Sequence, residues 1–422
     1  MSRHAWKRSF ASNWGNSMHN WERTTLGAIC ESSGGGIQTG PFGSQLHASD
    51  YVQDGTPSVM PQNIGDNRID PTGIARVSAS DIARLSRYTL RAGDIVYSRR
   101  GDVERRALVR TDNEGWLCGT GCLRVRIGDQ RRYDSRFVSY ALGIPESRKW
   151  IKRHAVGATM LNLNTSILSA VPLLIPPISE QHAIAEVLQA LDDKIAANDQ
   201  IIAKVKDLLA AEFVSLQENS ENELVPIGEL VELNPKVQKP DAKEPVYLDM
   251  RNLPDQTMTV TSWSRRSPRG GARFQNGDTL LARITPCLEN GKVGYVDFLM
   301  GDEVGLGSTE FIVMRPRKGI PTVFPYFLAT DATFREFAIK RMVGTSGRQR
   351  LSAGDIVSFQ VRRPSERDLA RFSELSDALM GRVKAAVDET RALATARDEL
   401  LPLLMSGKVR VREAEEIVEG VV

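Results

Sequence analysis

The chain has 422 residues, of which 41% are hydrophobic and 25% charged, ordinary values for a globular protein of two or three domains. Its net charge of +3 identifies no class of partner on its own. No apolar run approaches the roughly 20 residues of a membrane-spanning helix, and no signal-peptide pattern opens the sequence. We therefore expect a cytoplasmic protein with no membrane partner.

The first part of the chain combines a basic arm with a module of mixed structure. We expect residues 1–20 to form a flexible basic arm and residues 21–178 to form the first globular domain. Period-two alternation predicts a strand at 122–127, and residues 134–153 predict one or two helices. A proline-stopped strand at 171–178 closes this module.

A long helix is predicted next, over residues 179–217. Ser179 is a typical N-cap residue, and neither proline nor glycine follows it before Pro226. Apolar residues then recur at alternating spacings of four and three, which is the heptad pattern of a helix that needs a partner helix. This seam, predicted to act in spacing and partner docking, contains Ile184, Leu188, Leu191, Ile195, Asn198, Ile202, Val205 and Leu209. We expect Asn198, the polar member, to fix the register of the helix pair.

The second half of the chain repeats this plan. We expect a second globular domain at 218–364, a second long helix at 365–411 and an acidic tail at 412–422. Pro402 and Gly407 are expected to end the second helix. Its seam is predicted to include Leu379, Val383, Leu393 and Leu400.

Matching segments and a matching charge distribution both indicate an internal repeat. Several short segments recur in the same order at a nearly constant offset of about 185 residues, which is hard to obtain by chance. Residues 21–178 and 225–364 each carry a net charge of +5, whereas 179–224 carry −7 and 365–422 carry −3. The sequence therefore predicts a mixed α/β fold with two similar globular domains, two long antiparallel helices and an internal pseudo-twofold repeat. Basic modules alternating with acidic helices are typical of paired nucleic-acid-binding units, although Glu/Asp-rich solvated helix faces explain the acidic segments equally well.

Three segments resemble the specificity subunit of type I restriction-modification systems. They are Thr39-Gly-Pro-Phe-Gly-Ser-Gln-Leu46 with Pro61-Gln-Asn-Ile64, Leu174 to Leu188 with Leu191-Asp-Asp-Lys-Ile195, and Arg397 to Arg410. The resemblance covers essentially residues 21–411, and its central segment is the most specific. Residues 1–17 have no counterpart in it, and the second helix opens with Ser365-Glu-Arg where the first has Ser-Glu-Gln.

This resemblance implies two target-recognition domains that each read one half of a split site in double-stranded DNA. It implies partners, namely two methyltransferase subunits docked on the helices and restriction subunits that join them. S-adenosylmethionine, ATP and Mg²⁺ would belong to those partners, with no cofactor in this chain. An alternative within the same resemblance is an orphan DNA-binding subunit of a related anti-phage methylation system.

Basic clusters and amide side chains are the predicted DNA-contacting residues. Arginine binds guanine through two hydrogen bonds, asparagine and glutamine can do the same with adenine, and lysine binds phosphate. The candidates are Arg99, Arg100, Arg105, Arg106, Lys152, Arg153, Thr159, Gln62, Asn63, Arg265, Arg266, Arg269, Arg273, Lys340, Arg341, Ser346, Arg348, Gln349 and Arg350. The competing interpretation is that these are solvated or ion-paired surface residues, and that Gln62 and Asn63 cap a turn.

Catalysis by this chain alone is not predicted. The nuclease pattern Glu-x-Lys is absent, and Asp-x-Lys occurs only at 192–194 and 241–243, in the long helix and in a loop. The Asn/Asp-Pro-Pro-aromatic motif of adenine methyltransferases is also absent. Cys118 and Cys122 lack a second ligand pair at metal-site spacing, so free thiols are expected. A coiled-coil scaffold without DNA binding is the remaining alternative.

Overall fold

A computed structural model describes residues 21–218, 223–255, 257–267, 270–345 and 347–419. The chain divides into two compact units, one formed by Met1–Lys194 with Ala392–Val422 and the other by Ile195–Arg391. The predicted arm, residues 1–20, lies outside the described part. Among the described residues, no helix is long and apolar enough to cross a membrane.

Two sheets and a strand pair form the first module. The strands are β1 Glu22–Thr25, β2 Gly36–Thr39, β3 Tyr51–Val52, β4 Thr56–Val59, β5 Ala75–Val77, β6 Ile95–Ser98, β7 Arg106–Leu108, β8 Leu117–Cys118, β9 Cys122–Arg126 and β10 Pro172–Ile175. One sheet has the order β2-β9-β6-β7, the other β3-β5-β4-β8, and β1 pairs with β10. The helices are α1 Leu26–Ser32, α2 Ala79–Arg84, α3 Ser135–Gly143, α4 Pro145–His154 and α5 Thr165–Ser169.

The second module has the same central sheet. Its strands are β11 Leu224–Pro226, β12 Val231–Leu233, β13 Val246–Leu248, β14 Ser264–Arg265, β15 Ala272–Phe274, β16 Thr279–Ala282, β17 Val293–Tyr295, β18 Gly305–Gly307, β19 Phe311–Pro316 and β20 Gln360–Arg362. The order β12-β19-β16-β17 reproduces β2-β9-β6-β7, and β11 pairs with β20 as β1 pairs with β10. Only the outer strands of the other sheet, β14-β13-β18-β15, are arranged differently. The described residues of this module also form the shorter helices α7 Phe324–Thr330, α8 Ala332–Lys340 and α9 Ala353–Ile356.

A buried ion pair recurs at the same place in both central sheets. Asp94, in the turn before one strand, accepts two hydrogen bonds from Arg126, of 2.7 and 2.5 Å. Asp278 accepts two from Arg315, both of 2.7 Å. Each carboxylate also caps its own turn through a backbone N–H three residues earlier. The glycine before each aspartate has a φ of 88°, which glycine adopts without the strain that a Cβ would bring.

The two long helices are α6 Ile178–Glu218 and α10 Glu366–Met405, and a short helix, α11 Val411–Glu419, follows them. In the second unit, the Phe213 and Phe372 rings lie 6.4 Å apart and Asn198 donates a 2.7 Å hydrogen bond to Glu389. From Asn198 to Phe213 the residue number rises along α6, whereas it falls from Glu389 to Phe372 along α10. The two helices are therefore antiparallel. The predicted mixed α/β fold, with two similar modules and two long helices packed together, is confirmed.

The prediction that Pro402 ends the second helix is wrong. The helix continues through this proline to Met405, and Ser406 then donates to the Pro402 carbonyl. Proline removes one backbone donor, but Leu404 and Met405 are almost fully buried, so packing of the last turn outweighs that loss.

Candidate nucleic-acid interface

In the first module, a hairpin after α4 lies against the loop that follows β6. Val156 and Asn162 exchange backbone hydrogen bonds of 3.0 and 2.7 Å across the hairpin. Leu163 then donates to the carbonyl of Arg99 at 2.8 Å, which ties the hairpin base to that loop. The β6 strand beneath the loop is fully buried. A rigid sheet thus supports an exposed basic loop and a hairpin beside it.

The tip of this hairpin exposes apolar side chains. Val156 is 64% exposed and Met160 is 60% exposed, with Thr159 exposed between them. Gly157 has a φ of 130°, and a Cβ there would lie 2.1 Å from the Met160 carbonyl oxygen. The hairpin therefore requires glycine at this point and leaves its tip free to contact a partner.

The second module repeats the hairpin. Val343 and Arg350 exchange two backbone hydrogen bonds of 2.9 Å, and Leu351 donates to the carbonyl of Arg283 at 2.8 Å. Val343 is 75% exposed. The hairpin of each module thus joins the equivalent loop, after β6 in one case and after β16 in the other.

Charge pairing differs between the two hairpins. Glu310 lies 2.8 Å from Arg350 and 3.5 Å from Arg283. The hydrogen bonds and charge of this carboxylate raise the pKa of Arg350. In the first module, the Arg99 guanidinium instead lies 5.8 Å from the centre of the half-exposed Phe42 ring.

The remaining candidates of the first module fall into exposed and ion-paired groups. Gln62, Arg100 and Arg153 are exposed. Lys152 is also exposed and lies 3.1 Å from Glu104. Arg105, which is half-buried, lies 3.9 Å from Asp102. Exposed ion pairs of this kind are weak and are easily exchanged for phosphate contacts.

Two candidates of the first module require correction because they lie inside it. Arg106 is 5% exposed, and its Nε donates a 2.6 Å hydrogen bond to the carbonyl of Ser139; its burial lowers the pKa of the guanidinium. Asn63 is 1% exposed and accepts from the Met60 N–H while donating to the Asp70 carbonyl. As placed, neither side chain can reach DNA, and Asn63 caps a turn.

In the second module, two of the predicted loop arginines contact their own chain. Arg265 forms a 2.7 Å ion pair with Glu303. The guanidinium of Arg266, which is exposed, lies 3.2 Å from the centre of the Tyr247 ring. Arg269 lies outside the described residues.

The other candidates of this module lie on its sheet, on α8 and on the hairpin. Arg273, on β15, donates a 2.7 Å hydrogen bond to the carbonyl of Val237. Lys340, Arg341 and Arg348 are exposed, and Lys340 pairs with Glu336. Gln349 is half-buried, and its carbonyl accepts a hydrogen bond from the Thr285 N–H in the loop after β16. Ser346 lies outside the described residues.

The seam residues of the long helices pack within the chain. In the second unit, the core includes Val205 and Leu209 of α6 together with Phe372 and Val383 of α10, and Leu379 packs against it. In the first unit, five seam residues are at most 2% exposed: Ile184, Leu188, Leu191, Leu393 and Leu400. Their burial is consistent with the predicted spacer role. The predicted docking role of these side chains requires correction, because they pack against other residues of this chain.

Sequence reasoning missed an ion pair that joins the two long helices in the first unit. Arg397 donates a 2.9 Å hydrogen bond to Asp192, which also accepts one of 2.7 Å from the Tyr140 hydroxyl. Burial alone would lower the pKa of Arg397, but the hydrogen bond and charge of Asp192 raise it on balance. Gln181 was also missed; it is buried and bonds the backbone of Asp134. Gln181, Asp192 and Arg397 all lie in the segments that resemble the family, and that resemblance was the sequence feature that could have pointed to them.

The cysteine thiols give a direct test of the packing. Burial raises the pKa of Cys30 and Cys118 to about 12 and also raises that of Cys122, whereas Cys287 is half-buried. Because the thiolate is the reactive form, we expect iodoacetamide at neutral pH to label Cys287 first in the native chain and all four after unfolding. Peptide mass spectrometry measures this. Equal native labelling of Cys118 and Cys287 would contradict it.

Among the described residues, no three His, Cys, Asp or Glu side chains are grouped to hold a metal ion. The interface candidates in the described part of the chain carry basic, amide, hydroxyl and apolar side chains.

Comparison with known proteins finds a family model and relatives that match part of this chain. Residues 18–207 match the family described as "Type I restriction modification DNA specificity domain". Two relatives from Escherichia coli align with about half of this chain: the type I restriction enzyme EcoEI specificity subunit, 23% identical over 212 residues, and its EcoAI counterpart, 24% identical over 203. These alignments cover 47% and 45% of this chain but only 34% and 33% of the relatives.

The fold similarity extends over both modules. The crystal structure of the type I restriction-modification S subunit from M. genitalium is 16% identical to this chain. It covers 92% of this chain and 97% of its own, with a TM-score of 0.56. The match at residues 18–207, the repeated modules and the paired helices thus agree: part of this chain is similar to the type I restriction modification DNA specificity domain, and its fold is similar to that of a type I restriction-modification S subunit.

Proposed function

We propose that this protein is the DNA-binding specificity subunit of a type I restriction-modification complex. In this proposal, residues 21–178 and 218–364 are target-recognition domains, and each reads one half of a bipartite site. The spans 179–217 and 365–411 act as spacer helices. The chain is non-catalytic, and methyltransferase and restriction subunits carry out the chemistry.

The observation that carries this proposal is the duplicated hairpin and loop. Each module places an arginine-bearing loop and an exposed hairpin side by side at the end of a buried strand. Exposed arginine and lysine give salt-dependent affinity for phosphate, and side chains on a hairpin can reach base edges. Two copies of one such surface suit a site read in two separate halves.

Partners and cofactors follow from the same proposal. We propose that methyltransferase subunits dock on this chain and bring S-adenosylmethionine, and that restriction subunits bring the requirement for ATP and Mg²⁺. The relatives' names describe specificity subunits of restriction enzymes, which supports this division of labour. An orphan subunit of a modification system without a nuclease is compatible with the same surfaces.

Binding to a randomised duplex library tests the proposal. The purified chain, alone and with its methyltransferase partner, is incubated with the library at two salt concentrations, and bound DNA is sequenced. We expect two short motifs separated by a gap of fixed length without base preference. We also expect affinity to fall steeply as salt rises, because each phosphate contact releases counterions.

A variant altered at the C-terminal end of α4, the helix before the hairpin, tests the phosphate contacts, and a variant of Arg251 is its control. Replacing exposed Lys152 and Arg153 by alanine is expected to weaken binding to all sequences and reduce its salt dependence, whereas replacing Arg251, which is paired with Asp249 on the surface, leaves the motif unchanged. Binding without any sequence preference, with the partner present, would contradict the proposal and favour a scaffold.

A further inference from the structure

We propose that Arg99 reads a guanine in the half-site of the first module, whereas its counterpart Arg283 reads no base. This inference rests on the proposed function and assigns different roles to two equivalent positions. The two arginines occupy the same place in the repeat but differ in which groups hold their side chains.

The equivalence is shown by backbone hydrogen bonds. Arg99 N–H donates to the carbonyl of Gly121 at 2.8 Å, and Arg283 N–H donates to that of Glu310 at 3.0 Å. Each arginine carbonyl then accepts from the residue after its hairpin, at 2.8 Å in both modules. Gly121 and Glu310 therefore also occupy equivalent positions, each immediately before the strand that pairs with β6 or β16.

The first module has Gly121 where the second has Glu310, and this difference changes the surroundings of the arginine. In the second module, the Glu310 carboxylate lies between the guanidinium groups of Arg283 and Arg350. In the first module, the equivalent glycine has no side chain, and Asn162 replaces Arg350 on the hairpin. Within the described residues, no ion pair involves Arg99, whereas Arg283 has a carboxylate beside it; the Nε of each arginine is buried without a hydrogen-bond partner.

The position of Arg99 limits how it can bind. With Nε inside the protein and the Phe42 ring beside the guanidinium, the two terminal amino groups are the donors left for a ligand. Guanine presents two acceptors, O6 and N7, on its major-groove edge, which match two parallel N–H groups. A phosphate also accepts from arginine, and the experiment separates these two ligands.

Arg283 faces a competing acceptor. A carboxylate has the same acceptor geometry toward a guanidinium as a guanine edge has, and Glu310 is only partly exposed. The Glu310 carboxylate lies 3.5 Å from Arg283 Nε, so a base bound to Arg283 would bring its acceptor edge and the DNA phosphates close to this negative charge. The Glu310 side chain therefore favours a role in which Arg283 and Arg350 hold the base of the hairpin in place.

The test compares Arg99→Lys with Arg283→Lys in the full-length chain with its methyltransferase partner. Lysine keeps the charge and the apolar stem but loses the two parallel donors. We expect Arg99→Lys to reduce discrimination at one guanine, in one half-site only, by about 10- to 100-fold. Replacing that guanine with 7-deazaguanine, which lacks N7, is expected to weaken wild-type binding and to have little further effect on the variant.

Arg283→Lys is the matched control and is expected to leave both motifs unchanged. The inference is overturned if the wild-type chain selects a bipartite motif but Arg99→Lys preserves every base preference. A uniform loss of affinity for all sequences, with a smaller salt dependence, would overturn it in favour of a phosphate contact. Absence of any wild-type motif would refute the proposed function as well, which distinguishes the two failures.

Discussion

Replacing Arg315 by methionine is expected to destabilise the second module by about 3 to 5 kcal/mol. Asp278 is fully buried, and this arginine provides two of its hydrogen bonds. Methionine fills a similar volume but leaves the carboxylate as an unpaired charge in the interior. Because whole domains are typically stable by about 5 to 15 kcal/mol, this loss is a large fraction of the total.

Hydrogen exchange followed by mass spectrometry measures this loss locally. Peptides from β16 and β19 are expected to exchange faster in the variant, while those from β6 and β9 keep their rates. Arg251→Met is the control, because its ion pair with Asp249 is at the surface, where an isolated ion pair contributes little to stability. If Arg315→Met and Arg251→Met increased the exchange rates equally, the buried Asp278–Arg315 pair would stabilise the module no more than a surface ion pair does.

Replacing Arg397 by alanine is expected to loosen the helix pair of the first unit by about 3 kcal/mol. The substitution leaves Asp192, which is 8% exposed, with the Tyr140 hydroxyl as its remaining hydrogen-bond donor. It also removes a contact to Asp66, which is more exposed and contributes less. The charge left on Asp192 dominates the expected effect.

Urea unfolding and peptide-resolved hydrogen exchange test this second prediction. We expect faster exchange at residues 184–194 and at the C-terminal end of α10. Arg412→Ala is the control, since Arg412 is 90% exposed on α11 and its ion pair with Glu416 lies at the surface. If both variants unfold at the same urea concentration, the Asp192–Arg397 pair does not hold the two helices together.

The long helices were predictable because their signal is repeated many times along the chain. Ile184, Leu188 and Leu209 follow a heptad spacing over more than five turns, so a single exception such as Asn198 does not obscure it. The duplication was visible for a similar reason, since several weak matches shared one offset.

Burial of individual polar residues could not be predicted from spacing alone. Arg105 and Arg106 are adjacent and chemically identical, yet one is half-buried at the surface and the other bonds the interior of α3. The strand β7 begins at Arg106 and all three of its residues are buried, so the difference between the two arginines depends on where the strand starts, which spacing does not fix to one residue. Asp192 and Asp193 are also adjacent, on α6, and only the first is buried, because successive residues of a helix point in directions about 100° apart.

The exposed hairpin tips allow the sequence of such a protein to vary there during evolution. Val156, Thr159 and Met160 pack against little of the described structure, and the interior of the module is held elsewhere, by the sheet and the Asp94–Arg126 pair. Substitutions at the tip therefore leave the fold almost unaffected. A lineage can accumulate many variants there while every copy still folds, and selection acts on what those variants bind.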